Sequence, residues 1–142
     1  MNRMRVSLLC GMILLAFGAV AIGNTAVRVH VNIPFDFYAG TELMPQGQYI
    51  FEIGAMSPAT ASGSSVLIRD DSGTRASYFF TRPGTASFRA EAQLEFSRYG
   101  DKYFLTSVEG AGCRATMRRT KMESEMQAQG VERHTTTLVS GD

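Results

Sequence analysis

The residues able to do chemistry are few and scattered. There are two histidines, His30 and His134. A metal site built from them would need Asp36 or Glu132 as further ligands, and that combination matches no recognised ligand spacing. Of the carboxylates close enough in sequence to be weighed as a pair, Asp70-Asp71 and Asp101 occupy turn-forming positions, and Glu91 and Glu95 point outward four residues apart on one strand. Such a strand pair is separated by about 13 Å, too far for two carboxyls flanking a glycosidic bond. Cys113 as a nucleophile would need a histidine beside it, and no G-x-S-x-G-like elbow or comparable signature surrounds it. Arg114, Arg118, Arg119 and Lys121 form the one basic cluster, able to meet phosphate or an anionic surface. Their mixture with Glu123 and Glu125 reads more simply as a solvated helix start. No catalytic residue, metal ligand or cofactor motif is assigned.

The aromatic residues say more. The chain has nine Phe, five Tyr and no Trp. One set can fill a β core. Tyr38, Tyr78, Phe80, Tyr99 and Phe104 fall on the faces opposite the main apolar rows of their strands. A second row must be covered by a helix or a long loop, or else form a ligand-binding or assembly surface.

The elements that would position these rows are strands. Residues 87–97 alternate strictly, with Phe88, Ala90, Ala92, Leu94 and Phe96 on one face. Gly100-Asp101 provides a two-residue turn that sets Phe96 opposite Leu105 and Arg98 opposite Tyr103. Glu95 is then expected in solvent beside Phe96. Residues 27–37 form a second clear strand, with Val27, Val29, Val31, Ile33, Phe35 and Phe37 inward and Pro34 marking an edge or a bulge. Residues 39–47 read as a turn, 48–53 as a strand with Tyr49, Phe51 and Ile53 inward, and 54–65 as a loop. Short strands at 66–69 and 74–80 flank the Asp70-Asp71-Ser72-Gly73 turn. EGAG at 109–112 interrupts the pattern, and 113–117 adds a brief strand. Thr120 and Glu123 make a capping box for a helix over 121–129, closed by Gly130. Residues 131–142 are an edge strand or a loose tail. The expected fold is all-β, an antiparallel barrel or sandwich of about seven strands with one short C-terminal helix.

Three segments carry a resemblance. VNIPFDFYAG at 31–40, LMPQGQYIFEI at 43–53 and FSRYGDKYFLTSV at 96–108 are similar to a family of small, uncharacterised exported proteins of acidobacterial type. The resemblance covers about residues 27–127. The family's middle motif looks like L-P-A-G-x-Y, and here Gln46 stands in place of Ala. The family often has His where Ser97 stands, and an apolar-Pro-Lys-Ser helix start where Arg118-Arg119-Thr120-Lys121 lies. What the resemblance implies is an exported β domain, without an activity.

Export is also read from the first residues. Arg3 and Arg5 precede an apolar stretch at 6–21 that ends in Ala19-Val20-Ala21, the n-region, h-region and A-x-A site of a signal peptide occupying 1–26. That stretch is shorter than the roughly 20 residues of a membrane span, so no integral span is expected after processing. The domain at 27–130 is expected in the periplasm or outside the cell. Cleavage would leave 12 basic and 13 acidic residues, a formal charge of −1, which gives no electrostatic case for nucleic acid. Cys113 would be the one remaining cysteine, so any disulfide joins two chains or a small thiol. The expected function is non-enzymatic, the binding of a small apolar ligand or another cell-envelope component. The alternative is an envelope hydrolase or isomerase whose site is assembled only by the fold.

Overall fold

A computed structural model describes residues 26–55, 64–84 and 91–140. Residues 1–25 of the expected signal peptide, the middle of the 54–65 loop, and Phe88 and Ala90 lie outside the described residues.

Ten strands and one helix are present among the described residues: β1 (Val27–Ile33), β2 (Phe37–Ala39), β3 (Glu42–Met44), β4 (Gly47–Ala55), β5 (Ser64–Asp70), β6 (Ala76–Gly84), β7 (Gln93–Tyr99), β8 (Lys102–Gly110), β9 (Cys113–Thr116), α1 (Lys121–Ala128) and β10 (Arg133–Val139). Two sheets pack face to face in a sandwich-like arrangement. The first is the antiparallel succession β1-β4-β5-β6. The second is built around β8, with β10-β7 on one side and β9 and β2-β3 sharing the other. β6 belongs to both: Ala76–Thr81 face β5, then Arg82–Gly84 pair with β9.

The inward rows have period two, as the sequence requires. Val29, Val31 and Ile33 of β1, Tyr49, Phe51 and Ile53 of β4, and Val66 and Ile68 of β5 are buried against Leu94, Phe96, Leu105 and Val108. Phe96 pairs with Leu105, Arg98 with Tyr103 and Tyr99 with Lys102. Gly100 at φ 62 heads the two-residue turn, the arrangement of a type II′ hairpin.

Three departures from the sequence reading shape the rest of the molecule. First, the strand at 27–37 ends at Ile33, where Pro34 withdraws an N–H. The chain crosses to the second sheet, and Phe37 and Tyr38 pair in parallel with Tyr103 and Phe104. Phe35 lies in the crossing and stacks on Tyr103 with centroids 3.9 Å apart. The Asp36 carboxylate accepts the Gln46 N–H at 2.8 Å, tying the crossing to the start of β4. Second, residues 39–47 contain β3 as well as turns, because Gly40 (φ 59) folds Glu42 back onto Ala39. A Cβ on Gly40 would approach the Phe79 ring to 3.2 Å. Third, the β7–β8 ladder slips between Glu95 and Phe96, leaving Thr106 as a bulge residue. The slip reverses the facing of β8, so Leu105 and Val108 both point inward although three residues apart.

The helix begins on the expected capping box. The Glu123 N–H donates to Thr120 Oγ1 at 3.2 Å, and the Thr120 N–H donates to Glu123 Oε2 at 2.8 Å. Gly130 at φ 77 ends it, with the Val131 N–H donating to the Met126 carbonyl at 3.1 Å. The Glu123 carboxylate is held by this cap and not by Arg119, four residues before it. Arg119 instead donates to Gln127 Oε1 at 2.8 Å. The final segment is an edge strand, β10, paired along β7. Its free edge approaches β1 where Ser140 Oγ donates to the His30 carbonyl at 2.7 Å.

Candidate functional site

The five aromatics of the second row part into two groups, because they sit on outer faces of different sheets. Tyr99 and Phe104 are fully buried, and Tyr38 is half-buried. Tyr38 stacks on Phe104 at 5.0 Å, and Tyr99 meets Phe104 edge-on at 5.9 Å. This cluster lies on the second sheet, against whose β7 strand α1 packs. The Tyr99 hydroxyl is buried and has no hydrogen-bond partner among the described residues.

Tyr78 and Phe80 are different. They stand on the outer face of the first sheet, 53% and 65% exposed, packed edge-to-face at 5.5 Å. Tyr78 pairs across to Leu67, which pairs to Glu52 and then Arg28. Arg28 reaches Glu52 at 3.2 Å and Arg69 reaches it at 4.0 Å. The face thus carries its aromatic pair on β6, at one end of the first sheet, with two arginines around one carboxylate on the strands beside it.

The other residues with chemical potential are occupied locally. Asp70 accepts Ser72 Oγ at 2.7 Å and the Arg75 N–H at 2.9 Å, which together hold its carboxyl below the usual range. His30 is exposed on β1, and His134 is exposed with Nε2 3.8 Å from Glu132. Among the described residues no three His, Cys, Asp or Glu side chains come together in a metal-holding group. Cys113 is an exposed free cysteine following the Ala111-Gly112 turn. No described helix is long and apolar enough to cross a membrane. Glu95, expected in solvent, keeps only 24% of its side-chain exposure because Arg114 lies across it at 3.1 Å. Arg114 also reaches Glu109 at 3.7 Å.

The basic cluster is therefore dispersed. Arg114 joins two carboxylates and Lys121 meets Glu125 at 3.7 Å. Arg118 and Arg119 remain, and β10 brings Arg133 beside them around a pocket of about 220 Å³. The bulge residue Thr106 lines this pocket. β9 pairs with β8 only from Ser107 onward and β2 only as far as Phe104, so Leu105 and Thr106 lie in the gap between them. The Met117 N–H bonds the Thr106 carbonyl at 2.8 Å, and the chain then turns outward into Arg118 and Arg119. Ser97 and Thr106 hydroxyls meet at 3.0 Å in the lining, and Arg133 Nε donates to Ser97 Oγ at 3.0 Å. Sequence reasoning missed Arg133, since nothing local in RHTTTLV indicates that it pairs across from Tyr99. Comparison with models of known protein families, with curated proteins and with solved structures finds no match.

Proposed function

We propose that this chain is a non-enzymatic, exported binding module of the cell envelope. Its partner is a protein that docks on the outer face of the first sheet. The observation that carries the reading is the pair Tyr78 and Phe80, two large rings left mostly in solvent on an otherwise regular sheet. Exposed aromatic area grouped in this way is characteristic of contact surfaces. Of the two ligand classes expected from the sequence, a macromolecule fits better than a small apolar molecule. The space between the sheets is occupied by Phe37, Phe51, Phe96 and their neighbours, and Tyr78 and Phe80 present a face, not a cavity. Arg28 and Arg69 around a single Glu52 favour a partner whose apolar patch is flanked on one side by a carboxylate. The leader-like 1–26 segment and the resemblance to small exported proteins support the location.

A photo-crosslinking phenylalanine analogue at Tyr78, irradiated in intact envelopes, tests the reading. The expected result is a discrete crosslink to a protein segment rich in apolar and acidic residues. Phe80→Ser should abolish it without changing the unfolding midpoint. Crosslinks identical to those from a probe at exposed Ser124, or indifferent to Phe80→Ser, would overturn it.

A further inference from the structure

The pocket beneath Arg118 has a charge it does not balance internally. Three guanidinium groups, Arg118, Arg119 and Arg133, line it against one carboxylate, Glu123. That carboxylate is already turned into the capping box, accepting from the Thr120 N–H and hydroxyl at 2.8 and 3.2 Å. The partners of Arg119 and Arg133 are neutral oxygens, Gln127 Oε1 and Ser97 Oγ. Arg118 is exposed and makes no hydrogen bond or ion pair among the described residues. Ser97 and Thr106 add hydroxyls in the lining that can donate or accept. The lining therefore carries a surplus of two positive charges.

We infer that this pocket binds a phosphate group, carried as a free anion or as a monoester. A phosphate monoester is largely dianionic near neutral pH, which matches the surplus, and its tetrahedral oxygens suit several guanidinium forks at once. A monocarboxylate leaves one positive charge uncompensated and offers fewer acceptors. The site lies on the second sheet and is independent of the Tyr78–Phe80 face.

The test uses the full mature chain in a phosphate-free, low-salt buffer. Inorganic phosphate is titrated while the arginine Nε–H and backbone signals are followed by NMR. Saturable shifts are expected at Ser97, Thr106 and Arg133, weakened by added salt. Arg118→Gln should lower the affinity about tenfold, the loss of one charge-assisted contact. Because the Arg118 side chain is exposed and bonds no described residue, the unfolding midpoint of this variant should stay at the parent value. Acetate should bind more weakly than phosphate. Glycerol phosphate and phosphatidylcholine vesicles carrying phosphatidic acid distinguish the sources. Binding of the soluble monoester alone identifies a free ligand, and tighter vesicle binding identifies a lipid headgroup. Absence of saturable shifts, or affinity unchanged by Arg118→Gln, would overturn the assignment.

Discussion

Tyr49 shows how much one side chain does here. Its ring sits in the core edge-on to Phe37 at 5.3 Å, and its hydroxyl donates to the Pro45 carbonyl at 2.6 Å. That bond closes the turn leading into β4, which gives the Pro, Gly and Tyr of MPQGQY a structural reason to occur together. Burial pushes the Tyr49 phenol above its ordinary value of 10.0, with Asp70 and Asp36 adding to the effect and Arg75 opposing it. A raised folded pKa means the neutral phenol is favoured by folding. The contribution is whole below pH 10.0 and is lost as pH rises through the higher folded value. Tyr49→Phe should therefore cost about 1 kcal/mol at neutral pH through the lost hydrogen bond. The gap between parent and variant should narrow in urea melts run progressively above pH 10.0, and a gap that widened there would contradict the assignment. At this scale the inward residues were legible from alternation, because burial in a strand follows period two. Arg133 was not, since its neighbours come from β7 and the turn before α1, far away in sequence.

Elements were legible where a turn residue has one job. Gly100-Asp101 and the Thr120/Glu123 capping box fall where the sequence put them. The EGAG segment is instructive because it reads as an interruption and is in fact a hairpin. Gly110 pairs with Cys113 around Ala111 (φ 47) and Gly112 (φ 78), both left-handed. Two positive φ values identify a type I′ turn, whose first position prefers Asn, Asp or Gly. Ala there is disfavoured, and the A-G pair hid the turn from a reading based on common dipeptides. Ala111→Gly should raise stability by about 0.5–1 kcal/mol, relief of the left-handed penalty less the added chain entropy of glycine. A lower thermal midpoint for that variant would show that the turn is not strained. Gly110 itself admits no such freedom, because a Cβ would come within 2.9 Å of Val29. β3 escaped the sequence reading for another reason. Three residues between two turns carry too little periodicity to register.

For the molecule as a whole, the core beneath the β7–β8 hairpin holds some of its largest fully buried side chains, among them Phe96 and Leu94. Phe96 is fully buried and meets Phe35 and Phe37 edge-on at 5.2 and 5.6 Å. Phe96→Ala should cost about 3–5 kcal/mol, transfer free energy plus a cavity. Glu95, its neighbour on the opposite face, is linked to Arg114, and Ser107 Oγ donates to it at 3.4 Å. Glu95→Ala should cost about 1 kcal/mol, above an ordinary surface change, because Arg114 would keep only Glu109 as its charged partner. Denaturant melts of the two variants give the comparison, and equal losses would mean that the facing of β7 is wrong. The all-β class with one late helix was legible from spacing and turns. The sharing of β6 between sheets was not, since no single residue marks where a strand changes partners.

The bond from Ser140 Oγ to the His30 carbonyl has a consequence for the order in which the molecule is completed. A ribosome delivers His30 long before Ser140. Through all of that interval β1 has one flank without its neighbour, and β7 waits for β10. Residues 133–140 are thus the closing stitch of the sandwich. A nascent chain, or one threaded N-terminus first through a secretion channel, reaches its final topology only when these residues emerge.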